Sequence, residues 1–448
     1  MSVSTTPPTE AAFRFRRLDL ASRDAATSGT IRRLVRRGAV PDPRVRKGVH
    51  EILDDVRGRG SPAVESAAAR FGGGSDKGLL VQAHELAGAA DRLPPAIRAA
   101  LEQAIANVRR FAETQRPVST RTTIAPGIEI QRRWTPLARV GAYVPGGSAP
   151  YPSTLIMTVV PAQVAGVRAI AVATPAAPDG SVDATLLGAA GILGVGSLLV
   201  AGGAQAIGAL AFGLPDVGFD PVDRIVGPGN AWVTTAKLEV SAVVGIDMPA
   251  GPSEGMVLAD SSADPRLVAA DLVTQAEHGP DSPAILVTPD AGLAAAVELE
   301  VATLLPKLER RAILEVALRD HGWIVIAPDI DRAIVFANDY APEHLSVDVA
   351  DAEAAVERLL NAGSIFVGPW APEAAGDYAT GANHVLPTGG LARSCNPLAV
   401  ETFGRFSQVQ RIDREGLGSI AETIRTLATA EGLTAHRNAV DVRLDHRP

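Results

Sequence analysis

Two Glu-His dipeptides, Glu277-His278 and Glu343-His344, hold two of the eight histidines in this 448-residue chain. Imidazole and carboxylate are the side chains most used for metal ligation and for moving protons near neutral pH. Their settings differ. The first pair closes a stretch of helical periodicity that stops at Gly279-Pro280, and Gln275, three residues before His278, shares its helix face. That spacing suits two ligands of a divalent metal, with imidazole a good zinc donor; a hydrogen-bonded helix end is the alternative. The second pair follows Pro342 at a helix-to-strand junction, where parallel-sheet enzymes present side chains to ligands. Adjacent residues on an extended segment point to opposite sides, so Glu343 and His344 serve one atom together only if the backbone turns. A surface loop is the competing reading.

Asp377 lies seven residues before His384, both in glycine-containing segments after the apolar run at Phe366. Carboxylate and imidazole there complete a site, unless Asp377 merely caps a helix. Gly227-Pro228-Gly229-Asn230 follows a strand-like run and opens a helix, the position of a phosphate-binding turn. Trp232 stands where the third glycine of G-x-G-x-x-G belongs, so the dinucleotide fingerprint is absent and NAD is one option among nucleotides. Cys395, the single cysteine, is flanked by Arg393-Ser394 and Asn396-Pro397, which supply no general base for thiol catalysis.

The elements that must position these groups are apolar and rich in small residues. Hydrophobic residues make up 46% of the chain but aromatics only 4%, so the core is Ala, Val, Leu and Ile, as in buried α/β layers. The length allows two or three cores. A net charge of -8 argues against a nucleic-acid binder and fits a soluble enzyme. One cysteine excludes a disulfide framework and a thiolate zinc site and suits a reducing cytosol. Residues 1–17 have no apolar core of a secretory signal and read as a frayed leader. Residues 184–215 carry no charge and imitate a membrane span, but eight glycines and a change of period make them a buried helix, strand and helix.

From 33 to 115 the pattern is helical, punctuated by Gly72-Gly73-Gly74 and Pro94-Pro95, and 122–134 alternates around Pro126-Gly127 as a hairpin. Strand-like runs then recur at 169–172, 198–200, 224–226, 256–258, 284–287, 323–326 and 364–367, separated by helix-length connections. Such alternation indicates parallel sheets with right-handed crossovers. Pro249-Ala250-Gly251-Pro252 interrupts the series like a hinge, favouring two sheets over one. Beyond Arg411 the chain turns helical and polar, too small a piece to bury a core alone, so it docks on the body or on a second subunit.

Taken in order, these segments resemble histidinol dehydrogenase over nearly the whole chain. The resemblance runs through Val-Gly-Ala-Tyr143-Val-Pro-Gly-Gly, Gly-Gly-Ala-Gln205-Ala-Ile, Val-Gly-Pro-Gly-Asn230 and Asp-Met-Pro-Ala-Gly-Pro-Ser253-Glu. It continues in Gln275-Ala-Glu-His278, Ala-Pro-Glu343-His344-Leu, Gly-Asp377-Tyr, Asn-His384-Val-Leu-Pro-Thr-Gly-Gly and Ala-Glu431-Gly-Leu-Thr-Ala-His436. It implies two incomplete Rossmann-like parallel-sheet domains with small helical terminal segments that pack in a homodimer. The layout expected is a segment 1–32, a discontinuous α/β domain 33–146 and 254–398, a dinucleotide-binding domain 147–253, and a helical tail 399–448 reaching the partner. The activity implied is NAD-dependent oxidation of L-histidinol through L-histidinaldehyde to L-histidine in the cytoplasm, with one Zn2+ per subunit.

On that resemblance Gln275, His278, Asp377 and His436 are the zinc ligands, His436 crossing the dimer interface. His344 is the general base, and Glu343 activates the water that hydrates the aldehyde, so each acts at a separate step. Ser253, His384 and Glu431 contact substrate, as do His344 and the zinc ligands, and Tyr143, Gln205 and Asn230 contact NAD. Trp232 departs from the Tyr usual there, Gly255 from an aliphatic residue, and Ser394-Cys395-Asn396 from Phe-Ser-Ser; none removes a proposed ligand. A paralogue acting on sulfopropanediol is the first alternative, disfavoured because Glu431 would repel a sulfonate. A non-enzymatic nucleotide-binding protein is the second, with no use for this set of residues.

Overall fold

The apolar runs become strands because they are short, β-branched and coverable on both faces. A computed structural model describes residues 14–22, 24–38, 43–146 and 149–446. One six-stranded sheet has the spatial order Arg16–Asp19, Gly322–Ile326, Ala284–Thr288, Gly255–Ala259, His344–Asp348, Ser364–Val367, all parallel. The second runs Leu80–Gln82, Ser197–Val200, Ala169–Thr174, Arg139–Tyr143, Arg224–Val226, Gly245–Ile246 and is parallel except at Leu80–Gln82. In each, after an edge strand supplied from earlier in the chain, the winding starts at a central strand, moves outward twice, then crosses to that strand's other side. This is the Rossmann winding with its last strand missing. Period two sorts the side chains: Val257, Ala284, Leu286 and Ile324 enter one core, Met256, Leu258, Ile285, Val287 and Val325 the other. Residues 184–215 are a helix, a strand and a helix, and among the described residues no helix is long and apolar enough to cross a membrane.

Sheet membership divides the chain differently from the expected ranges. Helix Pro43–Arg59 puts Val49, Leu53 and Val56 against Gly203–Phe212, and Arg139–Tyr143 pairs with Ala169–Thr174, so much of 33–146 belongs with the second sheet, not the first. Helical periodicity shows that a face is apolar but not which sheet it covers. The segment 1–32 supplies an edge strand, Arg16–Asp19, to the first sheet; residues 1–13 of the leader, and Gly147, lie outside the described residues. The tail is not wholly helical. Gly404–Ile412 pairs antiparallel with Ile128–Pro136, adding a third strand to the hairpin with Thr120–Ala125. Its sequence, GRFSQVQRI, is too polar to read as a strand because that sheet is largely exposed. Helices Arg414–Ala430 and Thr434–Asp445 follow and pack on one another.

Candidate active site

The helix Pro265–Glu277 starts with Asp264 accepting from the Arg266 N–H and Pro265 at its first turn, and it ends at His278 before Gly279-Pro280. Gln275 and His278 thereby come to the amino end of the first sheet. Helix Ile330–Tyr340 ends in Ala341, whose φ of 51° is left-handed, and Pro342 then hands the chain to strand His344–Asp348. That turn answers the geometric objection. Glu343 precedes the strand and His344 begins it, and Glu343 Oε2 lies 3.8 Å from His344 Nδ1, both side chains buried.

Glu343 Oε2 accepts from Ser253 Oγ at 2.7 Å and from the Glu254 N–H at 2.9 Å. Gln275 Nε2 donates to Ser253 Oγ at 3.3 Å, while its Oε1 accepts from His344 Nδ1 at 3.2 Å. An amide oxygen only accepts, so Nδ1 carries the hydrogen and the neutral ring keeps its lone pair on Nε2. Burial pushes the Glu343 carboxyl up, against the His344 charge and the Ser253 and Glu254 hydrogen bonds.

Beside this pair, His278 Nε2 meets Glu373 Oε1 at 3.0 Å and lies 3.8 Å from Asp377 Oδ2. Burial opposes charge on His278, but the Glu373 hydrogen bond and charge, then Asp377 and Glu343, outweigh it and raise the imidazole to about 9. Its side chain is 32% exposed, at the mouth of the cluster. Glu373 Oε1 also lies 3.6 Å from His344 Nδ1. Nearby, Asp271 is pushed up to about 7 by burial and then by the Glu373 charge. One ligand atom each from His278, Glu373 and Asp377 falls within 4.8 Å of the others. Nitrogen and oxygen donors with this surplus of carboxylate fit a divalent cation such as zinc. His384 bridges the two sheets' surroundings: Nδ1 meets the Asp377 carbonyl at 3.1 Å and Nε2 meets Thr154 Oγ1 at 3.1 Å. Burial lowers its pKa, so it stays neutral.

Tyr143, Gln205 and Asn230 sit at the opposite, carboxyl, end of the second sheet. The Tyr143 hydroxyl accepts from the Gly203 N–H at 3.2 Å, and burial pushes that phenol up to about 12. Gln205 is buried two residues into helix Gly203–Phe212. Asn230 Oδ1 caps helix Ala231–Val240, accepting from the Trp232 and Val233 N–H groups. Helix Ala231–Val240 thus begins where the sheet's winding reverses, between Arg139–Tyr143 and Arg224–Val226, and helix Gly203–Phe212 begins after Ser197–Val200 at the same end; Gly203 has φ 65° and Gly227 φ 114°. Close backbone and helix N-termini fit the phosphates of a nucleotide cofactor.

A family model described as histidinol dehydrogenase matches residues 35–444. The chain belongs to the histidinol dehydrogenase family. It is 45% identical over 424 residues to the histidinol dehydrogenase of Leifsonia xyli subsp. xyli (strain CTCB07), covering 94% of this chain and 97% of that relative. It is 47% identical over 402 residues to that of Halobacterium salinarum, covering 90% and 93%. The crystal structure of histidinol dehydrogenase from Elizabethkingia anophelis matches it with a TM-score of 0.89 at 33% identity, covering 97% of this chain and 99% of that one. Membership makes the protein an oxidoreductase and agrees with its parallel-sheet α/β fold.

Within one chain of this histidinol dehydrogenase family member, Ser253, Gln275, His278, Glu343, His344, Asp377 and His384 come together. Glu431 and His436 do not: both are exposed on the C-terminal helix pair, and among the described residues neither is paired with the cluster. Glu373 escaped the sequence reading. It starts the six-residue helix Glu373–Tyr378, four residues before Asp377, and that spacing places both carboxylates on one face.

Proposed function

We propose that this protein oxidises L-histidinol to L-histidine in two NAD-dependent steps, the last of histidine biosynthesis. The observation that supports it best is the buried Glu343–His344 pair set against the His278, Glu373 and Asp377 cluster in a chain of this family. His344 Nε2 takes the hydroxyl proton as the carbinol carbon gives up hydride, its ring held by the Nδ1–H bond to Gln275. The aldehyde stays in the site, and Glu343, its pKa raised by burial, takes a proton from the water that adds to it. As that water adds, His344 returns its proton to the aldehyde oxygen, which frees Nε2 to take a proton from the resulting hydrate as the second hydride leaves. Ser253 Oγ keeps Glu343 facing this water.

NAD, held near Tyr143, Gln205 and Asn230, supplies the hydride acceptor. Zinc bound by His278 and Asp377, with Gln275 and the partner's His436, supplies orientation of the substrate's amine and imidazole nitrogens. Glu373 supports His278. The homodimer brings Glu431 and His436 to the other subunit's site, Glu431 facing a cationic substrate group, and His384 contacts the substrate. Its place of work is the cytoplasm, where Cys395 stays reduced. The test is NADH formed per L-histidinol consumed. Two equivalents are expected; turnover of sulfopropanediol without turnover of L-histidinol overturns the proposal.

A further inference from the structure

Arg37, just beyond the N-terminal helix Ala25–Val35, is far in sequence from every proposed site residue, yet its guanidinium is largely buried behind the Glu-His pair. Nε and Nη2 donate to Glu254 Oε2 and Oε1 at 2.6 and 2.5 Å, a bidentate pair. Nη1 donates to the Tyr340 carbonyl at 2.7 Å and Nη2 reaches the Ala341 carbonyl at 3.4 Å. The Tyr340 ring lies under the guanidinium, 3.4 Å from Cζ to the ring centre, and its hydroxyl donates to Glu254 Oε2 at 3.3 Å. The Gly390 N–H adds a contact to Glu254 Oε1 at 3.4 Å.

The two backbone stretches tied by this guanidinium are the two that carry the proposed chemistry. Glu254 offers its N–H to Glu343 and its carbonyl to the His344 N–H, at 2.9 and 3.2 Å. Tyr340 and Ala341 form the left-handed turn that delivers Glu343 and His344 to the strand edge. A non-glycine residue in that conformation persists only where its surroundings hold it. We infer that Arg37 is a positioning residue for the Glu343–His344 pair, fixing from behind both the peptide on which the pair hangs and the turn that presents it. Lysine would not substitute, because a point charge cannot span the Glu254 carboxylate and two carbonyls in one plane. The inference rests on the proton-transfer roles given above to Glu343 and His344.

Charge balance and positioning separate in a double variant. Arg37→Met alone strands the buried Glu254 carboxylate, so it lowers the melting temperature as well as the rate. Arg37→Met/Glu254→Gln removes that stranded charge. The expected result, with zinc-loaded enzyme, NAD and L-histidinol, is a recovered melting temperature with kcat still about 10- to 100-fold down, the scale of a displaced catalytic group. KM for NAD should change less than threefold, about the resolution of a positional effect confined to the first sheet. Arg37→Lys should keep the fold and lose kcat similarly, which guards against a double variant that fails to fold. Recovery of wild-type kcat in either variant overturns the inference, as does a rise in KM with kcat unchanged. His344→Asn is the control for the underlying reading: if it leaves kcat intact the proton-transfer assignment fails, whatever Arg37 does.

Discussion

The two six-stranded sheets are wound alike but put their proposed working residues at opposite ends. In the second sheet, helices Gly203–Phe212 and Ala231–Val240 start directly after strands, so their N-termini, Gly203 and the Gly227 turn stand at the carboxyl end. In the first, helices Pro265–Glu277 and Ile330–Tyr340 end beside the amino ends of strands, and those ends carry Gln275, His278, Glu343 and His344. Helix N-termini bear partial positive charge and C-termini partial negative charge. One end of the fold is therefore built for phosphates and the other for cations and protons. The short segment 247–254 leaves the carboxyl end of the second sheet and enters the amino end of the first, and His384 links the two ends, from the Asp377 carbonyl to Thr154 near the start of helix Pro152–Ala165.

The largest effects should fall on the first sheet's pair. His344→Asn is expected to remove alcohol oxidation by at least about a thousandfold, within the range of a lost general base. Glu343→Gln should leave alcohol oxidation within about tenfold and slow oxidation of supplied L-histidinaldehyde by about a hundredfold or more. Single-turnover NADH formation from each substrate separates the steps. Equal damage to both in Glu343→Gln would show that the pair acts as one unit, despite its split across a turn.

Next is the proposed metal, a cation at the end where helix C-termini gather. After chelation, His278 carries a proton below about pH 9, held by Glu373, Asp377 and Glu343 against burial. An incoming zinc ion must displace that proton, so affinity should rise about tenfold per pH unit from pH 7 towards 9. Competition with a chromophoric chelator measures this directly. An affinity flat over that range would mean that His278 is not a ligand, and the division between the two ends would lose its best support.

What was legible in the sequence follows the same line. The central strands could be read because runs such as Ala284–Thr288 are buried on both faces and carry no polar interruption. Gly404–Ile412 could not, because an exposed sheet lets Arg, Ser and Gln alternate with few apolar partners. Asp377 stands out by its place seven residues before His384, though its zinc role comes only from the resemblance, while Glu373 has its i, i+4 relation hidden on a helix of six residues. The Arg37–Glu254 pair had no local signature at all, since its partners are 217 residues apart. The same distance in sequence hid which sheet the helices between 43 and 113 would cover.

A smaller effect is expected at the phosphate end. Lys237 and Asp247 form an ion pair with both side chains buried; Lys237 Nζ donates to the Gly227 carbonyl and Asp247 Oδ2 accepts from the Gly227 N–H, each at 2.8 Å. This pair holds the turn at Gly227 through both its N–H and its carbonyl. Lys237→Met strands Asp247, costing about 3–5 kcal/mol of stability, and should raise KM for NAD about tenfold with kcat little changed. Thermal melting and initial rates at varied NAD check both. A matching rise in KM for L-histidinol would blur the separation of the two ends.

Glycines give the finest version of the contrast. At Gly227 a Cβ would lie 2.1 Å from the Tyr143 carbonyl on a left-handed backbone, so nothing can move aside. At Gly255, which has no positive φ, a Cβ would lie 2.5 Å from Gln275 Oε1 and 2.7 Å from its Cγ, so the buried Gln275 side chain, but no backbone, must move. Gly255→Ala should therefore fold, with a stability loss of about 1–3 kcal/mol. With zinc held saturating, since Gln275 is also a proposed zinc ligand, the displaced amide would release His344 Nδ1, and kcat should fall about three- to tenfold with KM for NAD unchanged, a fraction of the loss from a removed base. The missing methyl at Gly255 would then be what lets Gln275 lie against the strand and fix the ring of the base. If kcat stays at the parent value, Gln275 is not needed at Nδ1, and the hydrogen bond seen there is incidental to proton transfer.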